Sequence, residues 1–329
     1  MPSLSYGQAT RDAMSVVMRM DERVIVLGED IRWGGSFGQY GGLHAEFGDR
    51  VIDMPISEPI IVGTCIGAAA TGMRPVASMS FVEFTMSAMD EIVNQAAKFR
   101  YMFGGQGALP LVLRAADGVI RSAGAQHSES LEALFAHVPG LKVVAPSNPY
   151  DAKGLLIAAI ADDNPVIFLE NKRIQPLKGE VPEGYYEVPL GEAAVRREGR
   201  DVTILAYSVQ AVNALEACDR LAAEGIDAEL VDLRTIVPLD FDAIVASVRK
   251  TRHVVVCHEA WTAGGVGAEL AARLQETLFG ELDAPVLRVG AVNAHIPFAP
   301  VLERAVVPAT DEIVETVRRA VGRTSLAPV

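Results

Sequence analysis

Two segments carry residues whose type and spacing could do chemistry. The first is Asp53-Met54-Pro55-Ile56-Ser57-Glu58-Pro59. Glu58 stands before a proline and a charge-free run, IIVGTCIGAAATGM, which reads as a helix expected to be buried. An acid at the mouth of such a helix has two readings. It is a carboxylate held by the helix dipole, or a poorly hydrated carboxyl whose raised proton affinity lets it donate or share a proton. Composition alone favours the first. The second segment is Gln126-His127-Ser128, past a strand and the polar loop Asp117–Ala125. Loops leaving the carboxyl ends of parallel strands are where open α/β sheets place ligands. An imidazole there suits general acid–base work. His253 and His258 flank a buried strand, and His44, His137 and His295 fall near helices or turns, so those five read as structural or solvated.

Several chemistries are missing from the sequence. It has no G-x-x-x-x-G-K-[ST] loop, no H-E-x-x-H and no clustered Cys/His spacing. Gly264-Gly265-Val266-Gly267 invites a dinucleotide reading, but it matches only G-G-x-G and lacks a placed ribose-binding acid. A tight turn into a helix packed closely on a strand fits it better. Cys65, Cys218 and Cys257 are odd in number, far apart and set among aliphatic residues, which suits buried thiols in a reducing compartment. The formal charge of -13 argues against general phosphate-backbone binding. No secretory signal and no bilayer-length apolar run is visible, so a cytoplasmic enzyme is the expectation. The mean hydropathy of +0.24 is high for such a chain and points to surface covered by other subunits.

These groups need a scaffold, and 329 residues suffice for two domains. Strands are expected at 24–27, 76–79, 111–114, 142–145 and 166–169, with helices at 8–20, 59–73, 85–102, 130–136 and 150–161. The strands are continuous apolar runs, which argues for parallel sheets covered on both faces. From about 171 to 190 the pattern breaks. QPLKGEVPEGYYEVPL has three prolines, two glycines and no helical period, and reads as a linker. A second series follows, with strands at 202–207, 228–231, 254–257 and 286–289 and helices at 211–224, 241–249, 267–279 and 311–321. The fold class is therefore α/β, as two α/β/α domains at 1–180 and 191–329 joined by 181–190.

Long motifs then occur in order: VIDMPISEPIIVGTCIGAAATGMRPVASMSFVEFTMSAMDEIVNQAAKFRYMFGG, GAQHSESLEALFAHVPGLKVVAPSNPYDAKGLLIAAIADDNPVIFLENK, VDLRTIVPLD, HEAWTAGGVGAEL and IPFAPVLERAVVP. Together they resemble the β subunit of the thiamine-diphosphate-dependent 2-oxo acid dehydrogenases, the first components of the pyruvate, branched-chain and acetoin complexes, over nearly the whole chain. The resemblance implies a transketolase-like pyrimidine-binding domain followed by a transketolase C-terminal domain. It places Glu58 on the cofactor-activating glutamate. A carboxyl bonded to the pyrimidine N1′ favours the imino form, whose imine removes the C2 proton; low solvation of Glu58 is expected to keep that exchange near neutral pH. Ile56, Ser80 and Phe84 fall on positions around the aminopyrimidine, and an aromatic there suits a flat heterocycle. His127 falls on the histidine that assists proton and acyl transfer. Leu111, Ala159, Ile160, Asp162 and Asn164 resemble a potassium loop of some members.

The Gly-Asp-Gly motif that holds Mg2+ and the diphosphate in the family's other half is missing here. The resemblance therefore implies an α subunit that supplies Mg2+ and the diphosphate end, in an α2β2 heterotetramer, with a lipoyl acyltransferase as acceptor. The sequence departs from the family in the loop Ala115–Ser122 with its Arg121, at Glu129, at Ser80, and at Asn293 and His295. Those departures bear on substrate identity and on the lipoyl partner. The alternatives are the pyrimidine half of a split transketolase, a thiamine-diphosphate decarboxylase or ligase that uses no lipoyl group, a non-catalytic subunit and a nicotinamide-binding protein. Retention of both Glu58 and His127 disfavours the non-catalytic reading.

Overall fold

A computed structural model describes residues 1–322; the last stretch of the expected second domain, 323–329, lies outside the described residues. The chain divides into two compact units. The first is Met1–Asp117 with Leu134–Leu190, and the second is Gly118–Ala133 with Gly191–Val329. No helix among the described residues is long and apolar enough to cross a membrane.

The first unit is built on parallel strands β2 (Val24–Gly28), β3 (Val51–Asp53), β4 (Arg74–Met79), β5 (Val112–Asp117), β6 (Lys142–Val144) and β7 (Val166–Asn171), in the spatial order β6-β7-β5-β4-β2-β3. β2, β5 and β7 are buried along their whole length, as strands covered on both faces must be. Helix α1 (Tyr6–Met20) starts from a reciprocal capping box between Ser5 and Gln8, and its apolar stripe enters the core beside α6 (Pro149–Ala161). α2 (Leu43–Phe47) is a short connector, and α3 (Glu58–Ala70) begins with Pro59 in its first turn.

Three local expectations change. Helix α3 buries Ile61, Val62, Cys65 and Ala69 but leaves Ile60 51 % exposed, so its charge-free sequence is only half covered by this chain. The continuous helix expected at 85–102 is instead a 3-10 turn (Val82–Ala88), a π-helical turn (Asp90–Ala96) and α4 (Phe99–Met102). The Thr85 hydroxyl donates to the Val82 carbonyl at 2.6 Å, a local bond that competes with the regular ladder. The 171–190 stretch is packed against the first unit. Its strand β8 (Lys178–Glu180) pairs antiparallel with β1 (Ser3–Ser5). Buried Lys153 of α6 donates to the Pro182 carbonyl and pairs with Asp12, both at 2.7 Å. Val188 packs so closely on Gly154 that a methyl group there would come within 2.5 Å of it. Prolines suppress a helix in this stretch without freeing it from the core.

The second unit has a five-stranded sheet in the order β14-β13-β10-β11-β9. Its strands are β9 (Ala194–Arg197, antiparallel), β10 (Val202–Ala206), β11 (Ala228–Asp232), β13 (Val254–Trp261) and β14 (Leu287–Ala291); the short β12 (Thr235–Val237) follows β11 in the chain. Helices α7 (Ser208–Ala223) and α11 (Thr310–Ala320) enclose an aliphatic core with Ile204, Leu230, Val255 and Val289. Gly264-Gly265-Val266-Gly267 forms the turn from β13 into α9 (Val266–Leu278). A methyl on Gly267 would come within 2.6 Å of the His258 imidazole, and one on Gly265 within 2.9 Å. The glycines therefore serve close packing on a strand residue. Cys65, Cys218 and Cys257 are free and buried.

Candidate active site

In the first unit, the carboxyl ends of β2, β3 and β4 converge on one set of side chains. Glu29 follows β2 directly, Ser80 follows β4, and Glu58 opens α3 just beyond β3. The Ser80 hydroxyl donates to Glu29 Oε2 at 3.3 Å and receives Ser36 Oγ at 3.3 Å. Burial, and then the negative charge of Glu58, push the Glu29 carboxyl above the usual carboxylate range. Glu58 is half-buried, more accessible than its charge-free helix suggested. Its Oε2 lies 3.0 Å from Ser87 Oγ, which is also 2.9 Å from the Phe84 carbonyl. A serine hydroxyl has one proton and two lone pairs. Ser87 can donate to an ionised Glu58. When Glu58 is protonated, Ser87 can accept from it and donate to the Phe84 carbonyl. One side chain thus satisfies the carboxyl in both protonation states.

Beside this acid lies a run of aromatic rings. Phe84 and Phe81 meet edge to face at 5.4 Å, and so do Phe81 and Phe37. Phe84 is half-buried, while Ile56, on the loop before Glu58, is 84 % exposed. An exposed aliphatic, an aromatic and a carboxyl on converging elements are the chemistry that a flat aminopyrimidine needs, so these residues fit that group.

Ile56, Glu58, Ser80 and Phe84 thus belong to one unit. His127 belongs to the other, at the end of a 3-10 turn (Ala125–His127) that follows Gly124, whose φ of +75° suits glycine. The base of its loop is closed by the Gly118 N–H donating to the Glu129 carbonyl at 2.8 Å. Sequence reasoning missed Glu29 and Ser87. Glu29 was detectable as the residue leaving a buried parallel strand at its carboxyl end. Ser87 carried no signal, because its reach to Glu58 depends on the broken helical segment.

The expected potassium loop has another cation beside it. Arg74 Nη1 donates to the carbonyls of Ile160, Ala161 and Asp162 at 2.9, 3.1 and 3.1 Å. The Leu111 carbonyl accepts the Val166 N–H at 2.9 Å, and Lys142 pairs with the Asp162 carboxylate. Burial works against ionisation of Asp162, but the bonds from Lys142 and Asn164 outweigh it and hold the group below the usual carboxylate range.

The transketolase pyrimidine-binding domain matches residues 2–176, and the transketolase C-terminal domain matches residues 191–313. The chain is 47% identical over 327 residues to the β subunit of an acetoin:2,6-dichlorophenolindophenol oxidoreductase of Cupriavidus necator, covering 96% of this chain and 97% of that one. It is 44% identical to the pyruvate dehydrogenase E1 component β subunit of Rickettsia felis, covering 96% and 98%, and 45% identical to the 2-oxoisovalerate dehydrogenase β subunit of Bacillus subtilis, covering 92% and 94%. Among solved structures it is similar to a split-gene transketolase described as an inactive β4 tetramer, with TM-score 0.79 and 25% identity over 97% of this chain and 99% of that one. Matched along nearly its whole length, and carrying an acid and aromatics where parallel strands end, the chain belongs to the transketolase-like family as a β subunit of thiamine-diphosphate-dependent 2-oxo acid dehydrogenases, the enzymes that work with a partner α subunit.

Proposed function

We propose that this β subunit receives the aminopyrimidine end of thiamine diphosphate and supports decarboxylation of a 2-oxo acid, or cleavage of acetoin, with acyl transfer to lipoamide. When bound, the cofactor supplies the carbon nucleophile. The observation that carries the reading is Glu58 at the start of α3, satisfied by Ser87 and flanked by Ile56 and Phe84. In this reading Glu58 exchanges a proton with the pyrimidine N1′. Phe84, Ile56 and Ser80 are the residues that would hold the aminopyrimidine, the first two by apolar contact and Ser80 by its hydroxyl. Because Ser80 is bonded to Glu29 and Ser36, its side of the cluster is polar. His127 is assigned proton transfer and acyl transfer.

The partner α subunit would supply Mg2+ and the diphosphate end in an α2β2 assembly that docks on a lipoyl acyltransferase. The matched spans 2–176 and 191–313 support a pyrimidine-binding domain at 1–180 and a C-terminal domain at 191–329. Potassium at Leu111, Ala159, Ile160, Asp162 and Asn164 has a rival in Arg74, which already serves the carbonyls of Ile160 and Asp162. No step of the reaction is assigned to the ion. The test of the main reading is Glu58→Gln in the assembled enzyme. Turnover should be lost while assembly with the α subunit is retained, and near-normal activity would remove Glu58 from the chemistry.

A further inference from the structure

The first unit's strand β5 ends at Asp117, and the chain that follows, Gly118–Ala133, belongs to the second unit. Its hold on that unit is specific. The Val119 N–H donates to Glu259 Oε1 at 2.7 Å, and Ser122 N–H donates to Glu303 Oε2 at 2.8 Å. Glu259 is buried and lies in β13; Glu303 lies in α10 (Pro300–Val306). Ser122 has φ +56°, a left-handed conformation that a serine adopts at a cost unless something holds it. Val119 packs in a small core with Ile296 and Val307, and the Phe298 ring lies against Gly124. At the far end of the loop, Tyr207 donates to buried Glu132 at 2.6 Å. Bonds from neutral N–H groups to carboxylates are about twice as strong as neutral pairs.

We infer that Glu259 and Glu303 are positioning residues: the C-terminal domain holds the loop that carries His127, so the domain that contributes no residue to the aminopyrimidine cluster sets the geometry of the proton- and acyl-transfer step. The inference rests on the proposed role of His127 only for its catalytic consequence. The clamp itself stands on the bonds above. Glu303 is the sensitive member, since it restrains the one strained residue of the loop. A glutamine keeps an acceptor oxygen in place; an alanine removes it.

The experiment uses the full β chain, alone and assembled with its α subunit. In Glu303→Ala, amide hydrogen exchange across residues 119–127 of the chain alone should rise by tenfold or more, while exchange in β10 and β11 stays at the parent level. In the assembled enzyme kcat should fall about tenfold with little change in cofactor affinity by calorimetry, and Glu303→Gln should recover most of both effects. Unchanged exchange over 119–127 in Glu303→Ala, or exchange raised equally throughout the second unit, overturns the clamp. Glu259→Ala is the second variant should Glu303→Ala fail to fold: exchange at Val119 should rise by tenfold or more, and unchanged exchange there overturns the clamp. His127→Ala separates the two ideas. If it retains full turnover while Glu303→Ala still loosens the loop, the role of His127 falls and the clamp stands.

Discussion

The role proposed for Glu58 requires it to hold its place whether or not it carries a proton, and Ser87 is the side chain that allows this. Its hydroxyl reaches both Glu58 Oε2 and the Phe84 carbonyl, at 3.0 and 2.9 Å. Removing it leaves the carboxyl with one fewer partner in either state. We expect Ser87→Ala to lower kcat about tenfold, with little change in substrate KM, and Ser87→Thr to restore most of it, checked by steady-state kinetics. His258 presents the opposite case, a titratable group kept away from charge. It is fully buried in β13, donates Nδ1–H to the Ala260 carbonyl at 3.0 Å, and is hemmed in by Gly265, Gly267 and Gly290. Burial lowers its pKa from 6.5 to about 4, the Ala260 carbonyl opposes that, and Arg288 adds to it. As pH falls below 6.5 the unfolded chain takes up this proton while the folded chain refuses it down to about 4. Stability is therefore lost across that window, by about 3 kcal/mol. Denaturant unfolding of His258→Gln against the parent should show a flatter loss between those pH values.

At the scale of elements, adjacent strands β5 and β7 are joined by a buried ion pair. Arg114 donates twice to Glu170, both bonds at 2.9 Å, and lies 4.9 Å from the Tyr40 ring centroid. Both side chains are almost inaccessible to water, so removing one partner strands a buried charge. Glu170→Ala should cost about 3–5 kcal/mol and lower the thermal midpoint sharply, measured by calorimetry. A paired change to two well-packed apolar residues should cost much less, which would show that the penalty belongs to the orphaned arginine. The regular strands and long helices followed from apolar periodicity, because parallel strands buried on both faces leave a continuous apolar run. The segment 82–102 did not. Its composition is helical, but Thr85 bonds back to Val82, a local bond that summed propensity does not register, and the ladder shifts through 3-10 and π turns. The proline-rich 171–190 stretch reads as a linker for a different reason: strand pairing to Ser3–Ser5 and the reach of Lys153, which tie it to the first unit, come from residues far away in the chain.

On the scale of the whole molecule, the high mean hydropathy has a visible counterpart. Ile56, Ile60, Trp33 and Tyr101 of the first unit, and Phe298 and Val301 of the second, stand more than half exposed. A β subunit that works with an α subunit has surface to be covered, and the half-covered α3 opens with Glu58 itself. We expect the purified chain alone to bind thiamine diphosphate weakly and NAD not at all, and to bind the cofactor tightly once the α subunit and Mg2+ are added, as read by titration calorimetry. Tight binding by the chain alone would contradict a divided site. Potassium belongs to this scale too. Replacing potassium chloride by choline chloride should leave the thermal midpoint of the assembled enzyme unchanged if Arg74 is the loop's cation, and lower it if the ion is resident.

The sequence by itself determined the two-domain α/β architecture and the family, and it singled out Glu58, Phe84 and His127 as candidates, because each depends on local pattern or on ordered motifs. The tertiary structure alone decided which groups meet. Glu29 and Ser80 approach each other only because β2 and β4 are neighbours in the sheet. Ser87 reaches Glu58 only through an irregular helical segment. The His127 loop follows a strand of one unit yet belongs to the other, held by Glu259 and Glu303, which stand more than a hundred residues away in the chain. Pairings over such distances are fixed by sheet order and packing, which no local pattern encodes.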